Sequence, residues 1–138
     1  MEHPYFAQAV PKSLDRDSFA DALVRLDGLS VEDGAATLTA FTAASIAGAV
    51  AHLPASPLRW LVTGGGRHNP AIMAALRSCL AAPVEPVEAV GWDGDALEAQ
   101  AFGFLAARAL HGLPLTYPQT TGVNTPTLGG RVYSVREA

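Results

Sequence analysis

The stretch Leu61-Val-Thr-Gly-Gly-Gly-Arg-His-Asn-Pro70 holds the residue types best suited to binding. It reads as a buried strand, a glycine turn and the start of a helix. Glycines let a flat or anionic group approach the backbone, and a helix start presents N–H groups without intrahelical partners. In an open α/β sheet such a turn leaves the carboxyl end of a strand, where ligands bind. The same residues also fit a tight strand-to-helix turn with no ligand at all. The run is neither Gly-x-Gly-x-x-Gly nor a phosphate loop, since no Gly-Lys-Ser/Thr follows. A second pattern, Asp95-x-x-Glu98, opens a helix, and Glu98 is placed to reach back to the Asp95 N–H as a capping box.

Other chemistries lack their residues. His3, His52, His68 and His111 have no metal-ligand spacing, so no metal site is assigned. There is no Gly-x-Ser-x-Gly elbow for a hydrolase. The lone Cys79 cannot form an internal disulfide, fits a reducing cytoplasmic setting, and reads as a small inert hydrophobe within its helix. Trp60, Trp92, Phe102 and Phe104 read as core rather than as a stacking platform.

Positioning the glycine turn requires strands and helices. Phe19 to Leu26 predicts a short helix closed by Asp27-Gly28. Ser30-Val-Glu-Asp33 starts a long one running to His52, with Ala36, Ala40, Phe41, Ala44, Ala47 and Ala51 as a small-residue stripe facing a sheet. Leu58 to Thr63 reads as a buried parallel strand. Asn69 as N-cap and Pro70 at the first position start a helix to about Leu80, with Ile72, Leu76 and Leu80 on one face. Val84 to Val90 is a second strand. A third helix runs from Asp95 to about Leu110, apolar nearly all round and therefore buried on two sides. Residues 1–19 form an irregular lead-in, and residues 113–138 a loop-rich tail lying over the domain. The order is α/β with helices packed on a small parallel sheet. Two strands are few where sheets usually have about 4–6.

At 138 residues the chain is one domain by length. Nine Lys+Arg against thirteen Asp+Glu give a net charge of -4, so there is no cationic surplus for a nucleic acid partner. The apolar runs look broken before the ~20 residues of a spanning helix, which predicts no membrane partner, and no secretory signal is visible. Charged residues make up 16%, against about 25% in a typical soluble domain. That shortage predicts a surface that faces another domain or subunit.

The segment Thr63-Gly-Gly-Gly-Arg-His-Asn-Pro70 resembles the adenosine-contacting strand-turn-helix of the sugar kinase/heat-shock protein 70/actin superfamily. Within it, the chain is most similar to the anhydro-N-acetylmuramic acid kinase family. Further segments agree in the same order: His3-Pro-Tyr-Phe6 with Pro11-Lys-Ser13 and Arg16; Asp33 with Ala36-Thr-Leu-Thr39 and Thr42-Ala43; Glu98-Ala99 with Ala101-Phe102 and Leu105-Ala106; and Thr121-Gly122, Pro126, Leu128-Gly-Gly130 and Tyr133. The chain departs from the family in having Leu14-Asp15 where Thr-Gly is expected.

The resemblance implies a two-lobe kinase of which this chain is the C-terminal, ribonuclease H-like lobe. Its partner would be an N-terminal lobe outside these residues, carrying the phosphate loops and the catalytic aspartate, so no catalytic residue is assigned here. The implied reaction uses ATP and Mg²⁺, the metal held mainly by the other lobe. Water opens the 1,6-anhydro ring of anhydro-N-acetylmuramic acid and the 6-oxygen is phosphorylated, in peptidoglycan recycling. Thr63, Gly64, Gly65, Gly66 and Asn69 map to the nucleotide side, Asn69 serving either as helix cap or as nucleotide contact. Glu98 maps to the sugar side as an alternative to its capping role, and Lys12 and Ser13 to the cleft. The lobe alone is expected to be inactive and to form a homodimer. Two rivals are a non-catalytic dimerising module and a stand-alone nucleotide-binding domain.

Overall fold

The computed structural model describes residues 3–15 and 17–133. Arg16, part of the Pro-Lys-Ser segment, lies outside the described residues. After a 3-10 turn at Pro4–Ala7 come helix α1 (Ala20–Leu23), helix α2 (Val31–Gly48), strand β1 (Trp60–Val62), helix α3 (Pro70–Cys79), strand β2 (Val84–Pro86), helix α4 (Leu97–Leu110) and the single turn α5 (Pro118–Thr121). The strands pair in parallel, Trp60 with Val84 and Val62 with Pro86, and α3 connects them. This is the α/β layout read from the sequence, reduced to its smallest sheet.

Each start has a local cause. The Ser30 Oγ accepts the Asp33 N–H at 3.0 Å and opens α2. Asn69 Oδ1 accepts from the Ala71 and Ile72 N–H groups at 3.0 and 3.2 Å, with Pro70 pre-set at the first helical position. The second strand is shorter than expected, because Val87–Val90 tightens into a 3-10 turn that Gly91 ends in the left-handed region.

The core is small. Ala43, Met73, Leu76, Leu80 and Val84 form its buried cluster, with Trp60, Val62, Ile72, Ala75 and Ala47 packed around it. Helix α2 packs mainly on α3, not on the sheet; Ala47 of the expected stripe turns inward with Ala43, which lies off it, while Ala36 and Ala40 are exposed. On α3 the buried face is Met73, Leu76 and Leu80, with Ile72 at its margin.

Several residues assigned to the core stand in solvent. Trp92, Phe102 and Phe104 are 54%, 65% and 63% exposed, and no residue of α4 is buried. Cys79 is exposed as well. The accessible surface is 10347 Å² for a 14.3 kDa chain. Compact monomers of that mass expose about 6,800 Å². The apolar side chains of α4, and those of α2 turned away from α3, therefore have no counterpart among the described residues. Helix α2 and the 3-10 turn Ala49–His52 that continues it make a 22-residue helical stretch, Val31–His52, holding an 18-residue window of mean hydropathy 1.4, long and apolar enough to cross a bilayer by length and composition. That corrects the expectation of broken apolar runs, since its threonines and glycines do not interrupt the helix.

The tail folds back on α4. Arg108 donates through Nε to the Pro114 carbonyl and through Nη2 to the Tyr117 hydroxyl, both at 2.7 Å. Thr116 and Thr127 form an antiparallel bridge beneath it.

Burial sorts the consequences of substitution. Leu76→Ala should cost the isolated chain about 2–4 kcal/mol in chemical denaturation. Phe102→Ala, on the exposed face of α4, should stay within about 0.5 kcal/mol.

Candidate functional site

Parallel pairing puts the carboxyl ends of β1 and β2 on one edge of the sheet. From β1 the chain passes through Thr63 into Gly64–Gly66, and from β2 through the 3-10 turn and Gly91–Asp95 into α4. Gly64 has φ +73 and ψ -178, a conformation an L side chain rarely adopts, so this position requires glycine. A Cβ built on Gly64, Gly65 or Gly66 meets nothing within 4 Å, and the Gly65 and Gly66 N–H groups have no acceptor among the described residues. The turn is an open stretch of backbone.

One side chain ties the two loops together. Arg67 is 3% exposed in its side chain. Its Nε donates to Glu88 Oε1 at 2.8 Å, its Nη2 pairs with Asp95 Oδ1 at 2.9 Å, and its Nη1 donates to the Gly64 carbonyl at 3.0 Å. The same Glu88 oxygen accepts the Gly94 N–H at 3.2 Å. The Cβ of any other residue at Gly94 would collide with the Arg67 guanidinium and the Glu88 carboxylate. Two weaker links cross the same gap: Thr63 Oγ1 to the Gly94 carbonyl at 3.4 Å, and His68 Nε2 to Asp95 Oδ1 at 3.6 Å.

The electrostatics follow from this packing. Loss of water opposes the charge on Arg67, yet hydrogen bonds to Asp95 and Glu88 outweigh it and hold its pKa above the ordinary value. Glu88 is held below the ordinary carboxylate range by its own backbone N–H first and by Arg67 next. Asp95 is held low chiefly by its bond to Arg67.

The residues expected from sequence land unevenly. Thr63 and the three glycines occupy the strand edge. Asn69 is engaged as a helix cap through its carbonyl oxygen. Glu98 lies in the first turn of α4, exposed, and its carboxylate has no hydrogen-bond or ion-pair partner among the described residues. It does not reach back to cap. The Asp95 N–H donates to Asp93 Oδ1 at 3.0 Å and the Ala96 N–H to the same oxygen at 3.2 Å, so Asp93 closes the turn ahead of α4 and takes the Asp95 N–H that the capping box needed.

Lys12 belongs to a different neighbourhood. Its Nζ donates to the Tyr5 and Phe6 carbonyls at 2.9 and 3.3 Å, lies 3.1 Å from His52 Nε2, and sits 4.6 Å from the centre of the Tyr5 ring. These bonds fasten the N-terminal segment to the end of the α2 stretch. Ser13 is exposed on the same segment. An open cleft of about 820 Å³ nearby is lined largely by apolar side chains, among them Phe6, Phe19, Leu26 and Phe41, with no residue from the strand edge.

Arg67, which ties the two loops together, is not among the residues expected from the sequence. Its signal was a cation directly after the glycine turn, with acids at positions 88 and 95 to receive it. Among the described residues no group of three or more His, Cys, Asp or Glu side chains converges to hold a metal.

With that geometry in place, similarity to known proteins decides the family. A family model described as anhydro-N-acetylmuramic acid kinase matches residues 1–135. This chain belongs to the anhydro-N-acetylmuramic acid kinase family. Relatives of that name include one from Acidiphilium cryptum, 66% identical over 133 residues, which are 96% of this chain and 37% of the relative. Another, from Paramagnetospirillum magneticum, is 62% identical over 95% of this chain and 37% of the relative. A third, from Rhodospirillum rubrum, is 63% identical over 93% and 34% respectively. The chain thus spans little more than a third of the length of the curated relatives it matches.

Two outcomes test the Arg67 arrangement. Glu88 and Asp95 have lowered native pKa values, so they contribute stability above their unfolded values near pH ~4 and lose it as pH falls through the native ones. Denaturation midpoints across pH should fall on acidification, and less steeply in Arg67→Met. Gly94→Ala should cost about 1–3 kcal/mol by overpacking, read in the same assay.

Proposed function

We propose that these residues form the C-terminal, ribonuclease H-like lobe of a sugar kinase and supply the adenosine wall of its cleft. The carrying observation is that Arg67 ties an open glycine turn to the segment leading into α4, in whose first turn the Glu98 carboxylate has no partner among the described residues. ATP fits this wall by its backbone: Gly64, Gly65 and Gly66 admit a flat group without a Cβ in the way, and Thr63 lines the approach. Asn69 keeps α3 capped below it. Glu98, free of a capping role, is positioned to accept a hydrogen bond from a sugar hydroxyl. Lys12 and Ser13 act, in this reading, by ordering the N-terminal segment at the cleft margin.

The reaction proposed is that of the family: water opens the 1,6-anhydro ring of anhydro-N-acetylmuramic acid and the γ-phosphoryl group of ATP passes to the 6-oxygen. ADP and N-acetylmuramic acid 6-phosphate are the products, feeding peptidoglycan recycling in the cytoplasm. Phosphoryl transfer depends on positioning and on neutralising charge around the transferred group. Among the described residues no three His, Cys, Asp or Glu side chains converge to hold a metal, and in this reading Mg²⁺ and the catalytic aspartate belong to the N-terminal lobe. The exposed faces of α2 and α4 are assigned to that lobe and to a second copy in a homodimer.

Mass-spectrometric detection of phosphorylated product tests this reading. The isolated 138 residues should give none, and the complete kinase containing them should turn over. In that complete kinase, Glu98→Gln should lower kcat/KM for the sugar at least tenfold. Product from the isolated chain overturns the division of labour.

A further inference from the structure

The glycine turn and Glu98 lie on separate loops, and the structure shows how few contacts hold those loops in register. Helix α4 has no buried residue, so packing does little to fix where its first turn stands. Its start hangs from Asp93, through the Asp95 and Ala96 N–H groups, and Asp95 in turn is held by Arg67. On the other side, Arg67 holds the Gly64 carbonyl from within its own turn. The other links across the gap are the long Thr63 and His68 contacts. A guanidinium presents its donors in a fixed plane, so three acceptors bound at once are fixed relative to one another.

We infer that Arg67 is a positioning residue that couples the glycine turn to Glu98, so that a nucleotide on the turn improves binding of the sugar. This rests on the proposed function. A nucleotide lying on Gly64–Gly66 restrains the Gly64 carbonyl, which restrains the guanidinium, Asp95 and the first turn of α4. The ordering cost of that turn is then already met when the sugar arrives, which is positive cooperativity without any large movement. Lysine offers a single flexible point donor and cannot hold Gly64, Glu88 and Asp95 together.

The test uses the complete kinase, a non-hydrolysable ATP analogue and the anhydro sugar, titrated by calorimetry. In the wild type the analogue should tighten sugar binding about fivefold or more, the lower range of measured couplings. In Arg67→Lys and Asp95→Asn that ratio should fall toward one, while each ligand alone still binds. An unchanged ratio in either folded variant overturns the inference. Hydrogen exchange on the wild type gives a readout independent of whether the variants fold. The analogue should slow exchange at both 64–66 and 93–98, and protection confined to 64–66 overturns the coupling. If the wild type does not bind the analogue at the turn, the nucleotide-wall reading fails and the coupling falls with it.

Discussion

A guanidinium withdrawn from water must find an acceptor for each of its nitrogens, and Arg67 meets that demand with one carbonyl and two carboxylates. The acceptors come from both loops that leave the sheet, so satisfying one side chain fixes the edge where a ligand would lie. The constraint reaches backward and forward along the chain. It requires glycine at position 94, where a Cβ would strike the pair, and it holds the exposed Asp95 carboxylate by one oxygen while Asp93 accepts the Asp95 and Ala96 N–H groups ahead of α4. A charged residue thus does what core packing does elsewhere in larger sheets.

Such an arrangement suits a chain whose apolar core is small. The buried cluster between α2, α3 and the two strands involves few side chains, while Phe102, Phe104, Trp92 and Leu58 remain exposed. Monomeric proteins rarely leave contiguous apolar surface of this extent unless it meets something. The chain spans about 37% of the length of the Acidiphilium and Paramagnetospirillum relatives. The N-terminal segment shows the same economy on a smaller scale. Lys12 gathers two carbonyls and an imidazole, and Phe6, Phe19 and Phe41 pack ring against ring at centroid distances of 5.2 to 6.5 Å. The cation and the rings together hold a segment that has little regular structure of its own.

How far the sequence could be read depended on whether the cause was local. The Asn69-Pro70 start, the Ser30 cap, the strand at Trp60–Val62 and the C-terminal end of α4 rest on neighbours a few residues apart, and each is legible in the sequence. The stripe on α2 is right at Ala47 and wrong at Ala36, Ala40 and Ala51, because small apolar residues recur around the helix and contact with α3 selects Ala43, off the stripe, as the buried residue. Phe102, Phe104 and Trp92 were misassigned to the core because composition marks what wants burial and not whether a partner is within the chain. Glu98 looked like a capping carboxylate by spacing alone, and Asp93, two residues ahead of Asp95, intercepted that role.

The sequence by itself determined the α/β order, the glycine turn after the first strand, the cap of the helix that follows, and the resemblance that led to the family. Those features are written in spacings of one to four residues, which backbone geometry converts directly into structure. Tertiary structure alone decided that positions 64, 67, 88 and 95 meet, because that contact depends on two strands pairing in parallel and bringing their ends to the same edge. No local pattern records which carboxylates a buried cation will find once the sheet has formed.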